Sequence, residues 1–240
     1  MRRILLTNDD GLLSDGLIRL ARAALRFGEV WVVAPDGQRS AASQSVTLRH
    51  PIRVRPADFP VAGIRAFSCD GTPADCVRLG CLNLLPGKPD LLLAGINYGY
   101  NAASDIQYSA TLGAAFEGAY QDCRSVALSE CACPVHEVTD AQLLPVLEEA
   151  IETPTGPGQV LNVNFPGCPL EEFRGILRDR KVSRRAFYRD RYRLLETLPD
   201  GQMVFRVDGI YNEDADEGTD FRALVDGYIS IGLVNNVGWT

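Results

Sequence analysis

The chain opens on a short apolar run, Ile4-Leu5-Leu6, that stops abruptly at Thr7-Asn8-Asp9-Asp10-Gly11. An amphipathic stretch follows at once. This is the pattern of a buried strand whose carboxyl end carries two adjacent carboxylates and a glycine turn. In open α/β sheets, ligands gather at the carboxyl ends of the strands. Two carboxylates placed there repel each other and lose hydration unless a cation or a shared proton compensates. Asp9 and Asp10 are therefore either ligands for a hard divalent metal or solvated turn residues. The choice depends on whether other segments bring matching groups to the same place.

The following segments repeat the theme. Ser14 is a plausible N-cap for a helix over Asp15 to Phe27, with Leu17, Leu20, Ala21, Ala24 and Leu25 as its apolar stripe and Gly28 as its stop. Val30–Ala34 reads as a second buried strand, so the first unit is strand–helix–strand with parallel pairing. A polar loop, Gly37 to Ser43, leaves that strand at the same sheet edge. Val46–Arg55 and Ile64–Cys69 alternate like the strands of a hairpin or a small excursion sheet. Thr72 and Pro73 mark the start of a helix running to Leu84. Asp90–Ala94 is another buried strand and ends in Gly95-Ile96-Asn97-Tyr98-Gly99-Tyr100-Asn101. Tyr108-Ser109-Ala110-Thr111 opens a helix of small residues, whose free N–H groups and hydroxyls suit an anion. A strand over Ser125–Leu128, a helix over Asp140 to Glu152 interrupted by Pro145, and a strand over Val160–Pro166 complete the series.

Beyond about residue 170 the style changes. Arg174 to Arg193 is basic, with Phe187, Tyr188 and Tyr192 interleaved, and strand-like pieces follow at Met203–Val207 and Tyr228–Val234. The expected organisation is an α/β core over residues 1–170 and a β-rich C-terminal extension over 171–240, a natural oligomerisation arm.

Composition narrows the chemistry. Only two histidines exist, His50 and His136, too few for a multi-histidine zinc site and poor material for a Ser-His-Asp machine; each reads as a loop or surface residue. The seven cysteines are irregularly spaced and read as reduced and structural. A net charge of −7 argues against binding of nucleic-acid polymers. No apolar run approaches the roughly 20 residues of a membrane helix, and the basic start lacks a signal-peptide core, so a cytoplasmic location is expected.

Three strand ends thus present polar groups at one edge: Asp9 and Asp10 on the first, Ser40 on the loop after the second, Asn97 on the third. Carboxylates, a hydroxyl and an amide carbonyl form an all-oxygen set, suited to magnesium, manganese or calcium. Ser109 and Thr111 can hold a phosphate, and Arg39 can approach its charge. Taken singly, each of these residues is as well explained by a turn or a cap. Four loops ending in matched groups by accident is the less economical reading.

These residues carry a resemblance. Thr7-Asn8-Asp9-Asp10-Gly11, Ala34-Pro35-Asp36 with Arg39-Ser40 and Ser43, Gly71 to Val77, Gly95-Ile96-Asn97 with Gly99 and Asn101, and Tyr108 to Thr111 with Glu117-Gly118 resemble, in order, the signatures of the SurE family of metal-dependent 5'-nucleotidases. Asn162 to Pro166 and Thr219-Asp220-Phe221 with Gly227-Tyr228 extend the likeness into the tail. The resemblance implies a Rossmann-like three-layer core with a mostly parallel sheet. It implies one divalent cation per subunit, manganese or magnesium, with calcium or cobalt as further candidates. It implies hydrolysis of nucleoside 5'-monophosphates, with 3'-nucleotides and short polyphosphate as further substrates, and a homodimer or dimer of dimers built through the C-terminal segment. Matched position by position, Asp9, Asp10, Ser40 and Asn97 are the metal ligands, with Asp9, Asp10 and Asn97 catalytic. Asn8, Arg39, Ser43, Gly99, Asn101, Ser109, Ala110 and Thr111 fall on the substrate side.

The chain departs from the family pattern at Ala110 and Ala41, where glycine is usual, and after Ile231, where Gly232-Leu233 replaces Thr-Pro-Leu. The competing classes are a nucleotide-binding module without turnover and a Rossmann-like oxidoreductase or glycosyl transferase. No Gly-x-Gly-x-x-Gly follows the first strand, which counts against a dehydrogenase. Adjacent Asp9-Asp10 also lacks the Asp-x-Asp spacing of dehalogenase-type phosphatases.

Overall fold

A computed structural model describes residues 1–236. In chain order the elements are β1 (Arg3–Thr7), α1 (Asp15–Ala24), β2 (Glu29–Pro35), β3 (Val54–Ala57), β4 (Arg65–Cys69), α2 (Pro73–Leu79), β5 (Leu91–Tyr98), α3 (Ala110–Tyr120), β6 (Arg124–Glu130), α4 (Glu137–Ala150), β7 (Gln159–Phe165), β8 (Ile176–Leu177), β9 (Tyr188–Arg189), β10 (Tyr192–Thr197), β11 (Met203–Val207), β12 (Ile210–Tyr211), α5 (Asp220–Val225) and β13 (Ile229–Asn235). Nine strands form one sheet in the order β3-β4-β2-β1-β5-β6-β7-β13-β8. From β4 to β7 every neighbouring pair is parallel, whereas β3 and β13 run antiparallel to β4 and β7.

Side chains alternate across the pleat, so each strand feeds two cores. Ile4, Leu6, Val32 and Leu93 face one layer with Leu17 and Leu20 of α1 and Leu143 and Leu147 of α4. Leu5, Trp31, Val33 and Leu92 face the other with Val77 of α2 and Leu112 and Phe116 of α3. This is the three-layer α/β architecture expected from the sequence. The chain order places the topological switch between β1 and β5. Strands β2 and β4 were laid down on one side of β1; β5, β6 and β7 lie on the other. A crevice opens at such a point beyond the carboxyl ends of the strands.

Several local expectations change. Helix α1 ends at Ala24, and Gly28 is needed for another reason: a Cβ there would sit 2.1 Å from the Arg2 carbonyl oxygen. The strand expected over Val46–Arg55 shrinks to β3. Thr47 gives its N–H to the Asp75 carboxylate instead of a ladder, and Pro51 has none to give. The helix expected to Leu84 is α-helical only to Leu79 and finishes as a π turn over Gly80–Leu84. Pro145 does not interrupt α4. It sits on the exposed side of the helix, as does Ala141, whose carbonyl loses the N–H that proline lacks. All seven cysteines are free thiols.

The sheet continues past residue 170 through β13. Between Tyr188 and Tyr211 the chain builds two small two-stranded ladders, β9 with β12 and β10 with β11. Every residue of the β10–β11 hairpin strands is exposed, Leu194, Leu195, Met203, Val204 and Phe205 among them. Residues 237–240 lie outside the described residues.

Candidate active site

Strand β1 ends in residues that the fold holds tightly. Asn8 is fully buried and gives its Nδ2 to the Gly11 carbonyl at 3.0 Å and to Ser14 Oγ at 2.7 Å. It therefore braces the turn that carries the two aspartates into α1. Asp9 is only 3% exposed, and Thr111 Oγ1 donates to its Oδ1 at 2.5 Å. Burial drives the Asp9 carboxyl up to about 6; the Thr111 hydrogen bond opposes this and the Asp10 charge adds to it. Asp10 is half-buried and accepts the Tyr98 N–H on Oδ2 at 3.1 Å. Its carboxyl is also raised, by burial and by the charge of Glu130, against the pull of the Tyr98 N–H.

The other strand ends converge on this pair. The Arg39 N–H donates to the Asp9 carbonyl at 2.7 Å, which pins the Ser40 loop beside β1. Ser40 itself is exposed and accepts from Gln38 Nε2. Asn97, at the end of β5, gives Nδ2 to the Gly99 carbonyl at 2.8 Å, so its amide oxygen is the end left for a ligand. The Ser43 N–H and Oγ bond the carbonyls of Tyr108 and Gln107, which docks the loop against the entrance to α3. Gly113 permits this contact, because a Cβ there would sit 2.2 Å from the Ser43 carbonyl oxygen. Ser109 caps α3 by accepting the Leu112 N–H at 3.0 Å, and Thr111 in the first turn reaches Asp9.

Other candidates are placed behind this front. Asn101 is buried. Its N–H goes to Asn164 Oδ1, its Nδ2 to Ser129 Oγ, and its carbonyl accepts from Asn162 and Asn164. The Arg39 guanidinium is held by Asp36 at 2.8 Å. Gly99 donates its N–H to the Glu130 carbonyl. Ala110 is fully buried in the first turn of α3. A cavity of about 570 Å³ between Pro166–Arg174 and Leu224–Gly227 shares no residue with this constellation.

Some contributors were given no role in the sequence, although Glu117 stood within one of the quoted signatures. Tyr98 braces Asp10 through its N–H. Glu117 is buried within α3 and binds Gln44 and Arg78, tying the Ser43 loop and α2 to that helix. Glu130 ends β6 beside the site. Its signal was present, an apolar run closing on an acid, the same pattern as β1.

The donor set fits a hard cation. Among the described residues no three His, Cys, Asp or Glu side chains form a metal cage. A cation here would rest on Asp9, Asp10, Ser40 and Asn97 together with water, an arrangement magnesium and manganese accept and a thiophilic ion does not. The Asp9 carboxyl is raised mainly by burial and less by the Asp10 charge, and a cation would favour its ionised form against both.

A family model described as survival protein SurE matches residues 4–187. The chain belongs to the SurE family. A relative from Gemmatimonas aurantiaca called 5'-nucleotidase SurE is 41% identical, over 95% of this chain and 90% of its own length. One of the same description from Aeromonas hydrophila is 39% identical over 95% and 90%. The crystal structure of the SurE protein from Aquifex aeolicus superposes with a TM-score of 0.81 at 33% identity, covering 97% of this chain and 93% of that one. The β1–β5 crevice of this SurE chain is thus set in a fold shared along nearly its whole length.

Proposed function

We propose that this SurE chain is a divalent-metal-dependent 5'-nucleotidase, hydrolysing nucleoside 5'-monophosphates to nucleoside and phosphate. The observation that carries the reading is the Thr111–Asp9 contact. It joins the amino end of a helix, where a phosphate is favoured, to a buried carboxylate, where a cation is favoured, in a chain whose curated relatives are called 5'-nucleotidase SurE. Asp9, Asp10, Ser40 and Asn97 would hold the cation. When bound, it supplies a Lewis acid for a phosphoryl oxygen and a more acidic water.

The chain's own groups do the rest. Thr111 fixes the Asp9 carboxylate, and the Tyr98 N–H fixes that of Asp10, so neither needs to reorganise when charge develops. The capped end of α3 faces its N–H groups toward negative charge. The same electrostatics suits 3'-nucleotides and short polyphosphates, which belong in the substrate screen. The exposed β10–β11 hairpin is proposed as the arm of a homodimer or dimer of dimers.

The test is release of phosphate from nucleotides with manganese or magnesium. Asp9→Asn is expected to lower kcat/KM by about a hundredfold or more while the protein stays folded. Near-normal turnover by that variant, or turnover in excess chelator, would overturn the assignment. Tight nucleotide binding with no release of phosphate would identify a binding module instead.

A further inference from the structure

On the β6 side of Asp10 lies a cavity of about 260 Å³ that opens to solvent. Its wall includes Asp10, Ile96, Tyr98, Arg19, Glu130 and His136. It lies just under the roughly 300 Å³ at which pockets for drug-sized ligands begin, a size for a small molecule and not for a polymer.

The polar groups here are unusual for a structural site. Glu130 is only 3% exposed, yet it is a carboxylate at the end of a central strand. The Arg19 guanidinium pairs with it and is itself fixed by Asp15 at 2.7 Å and Asp140 at 3.1 Å. Its other oxygen lies 3.1 Å from His136 Nδ1, close enough for charge attraction although neither atom makes an aligned hydrogen bond. The imidazole therefore sits against Glu130, and its Nε2 has no partner among the described residues. A buried carboxylate is costly and is retained where it holds other groups in place. Here it lies beside a histidine at the rim of a cavity that shares Asp10 with the proposed metal site.

Tyr98 supplies the second element. Its N–H braces Asp10, but its side chain is 55% exposed. Its ring lies 6.3 Å from that of His136, tilted by 49°. An exposed aromatic face beside a polar group at the mouth of a cavity matches a ligand with one flat apolar part and one hydroxylated part. A second cavity of about 490 Å³ flanks Asp10 on the opposite side, with Leu13, Asp36, Arg55 and Asp58 in its wall, but no aromatic residue lines it.

We propose that the Tyr98–His136 cavity receives the nucleoside half of the substrate, with His136 Nε2 hydrogen-bonded to a ribose hydroxyl and the base against the Tyr98 ring. Glu130 is then a positioning residue acting through His136. This assignment rests on the nucleotidase reading above and adds to it the groups that recognise the leaving nucleoside.

The experiment compares three phosphate esters: a nucleoside 5'-monophosphate, ribose 5-phosphate and p-nitrophenyl phosphate, which carries neither ribose nor base. For His136→Ala, kcat/KM for the nucleotide and for ribose 5-phosphate should fall about tenfold further than for p-nitrophenyl phosphate, mainly through KM. His136→Gln, which keeps a side-chain donor, should recover part of that loss. For Tyr98→Ala, the nucleotide alone should show the extra loss, since ribose 5-phosphate has no base. Equal losses on all three esters would assign His136 and Tyr98 to structure and overturn the proposal. So would a nucleotide-selective loss in Arg55→Ala with none in His136→Ala, which would move the nucleoside to the opposite cavity. If the wild-type protein released no phosphate from any ester, the nucleotidase reading would fail separately. Equilibrium dialysis of the nucleotide would then decide: about tenfold weaker binding by both alanine variants supports the subsite, and unchanged binding overturns it.

Discussion

Asp9 shows what burial does to a single carboxyl. Its folded value of about 6 lies above the ordinary 3.8, so the folded protein holds this proton more tightly than the unfolded chain does. For an acid raised on folding, the stabilising contribution is fully present below the unfolded value and is lost as pH rises through the folded one. Without metal, stability should therefore decline between about pH 4 and pH 6 by about 3 kcal/mol relative to Asp9→Asn. Thermal melts of both proteins in chelator, across that range, measure the difference. Added manganese or magnesium should reverse the loss near pH 7 and cease to do so below about pH 6, where protons compete for the same oxygen. Ala41 offers a second test at this scale. It is exposed with φ at 59°, the left-handed region that a methyl group disfavours. Ala41→Gly should raise stability by about 1 kcal/mol, seen as a Tm increase of roughly 2–4 °C. Ala110, the other departure from the family's glycines, is an ordinary helical residue, and nothing left-handed is demanded of it.

At the scale of elements, the strength of local signals decided what was legible. Caps were readable because they depend on neighbours in sequence: Ser14, Thr72 and Ser109 each accept the N–H that their spacing predicts. Central strands were readable because both faces are buried and the runs are continuously apolar. The segment 46–53 was not, since its order comes from Asp75, far away in sequence. Asp75 closes a capping box with Thr72 and also receives the Thr47 N–H at 3.0 Å. Burial would raise its carboxyl, but the N–H groups of Thr72 and Thr47 hold it below the ordinary value. A carboxylate depressed in this way contributes stability above its unfolded value and loses it as pH falls through the folded one. Asp75→Asn should cost about 1–2 kcal/mol at pH 7. The deficit should shrink on acidification, which urea melts at pH 7 and pH 3 would show. The site divides in the same way. Asp9, Asp10 and Asn97 follow directly from strand ends, whereas the burial of Asn101 among Asn162, Asn164 and Ser129 is a product of the tertiary fold that no local pattern announces.

For the whole molecule, the hairpin and the last strand have opposite fates. The β10–β11 hairpin exposes apolar side chains on both strands, an area that a single copy leaves to water. Leu194→Glu with Phe205→Glu should shift the protein to a smaller oligomer by light scattering while its far-ultraviolet spectrum is kept. Strand β13 instead comes home. Removing residues from Ile229 onward should abolish the cooperative thermal transition, because β7 and β8 both pair with β13.

That return has a consequence in time. Strand β7 bears Val160, Leu161, Val163 and Phe165, all buried in the finished protein, and its free edge is closed only by β13. A ribosome completes β7 well before it reaches Asn235. For roughly several seconds of synthesis the nascent chain carries an apolar strand with an unsatisfied edge. Chaperone binding is therefore expected in that interval of translation, and a product truncated before β13 would keep the exposed edge.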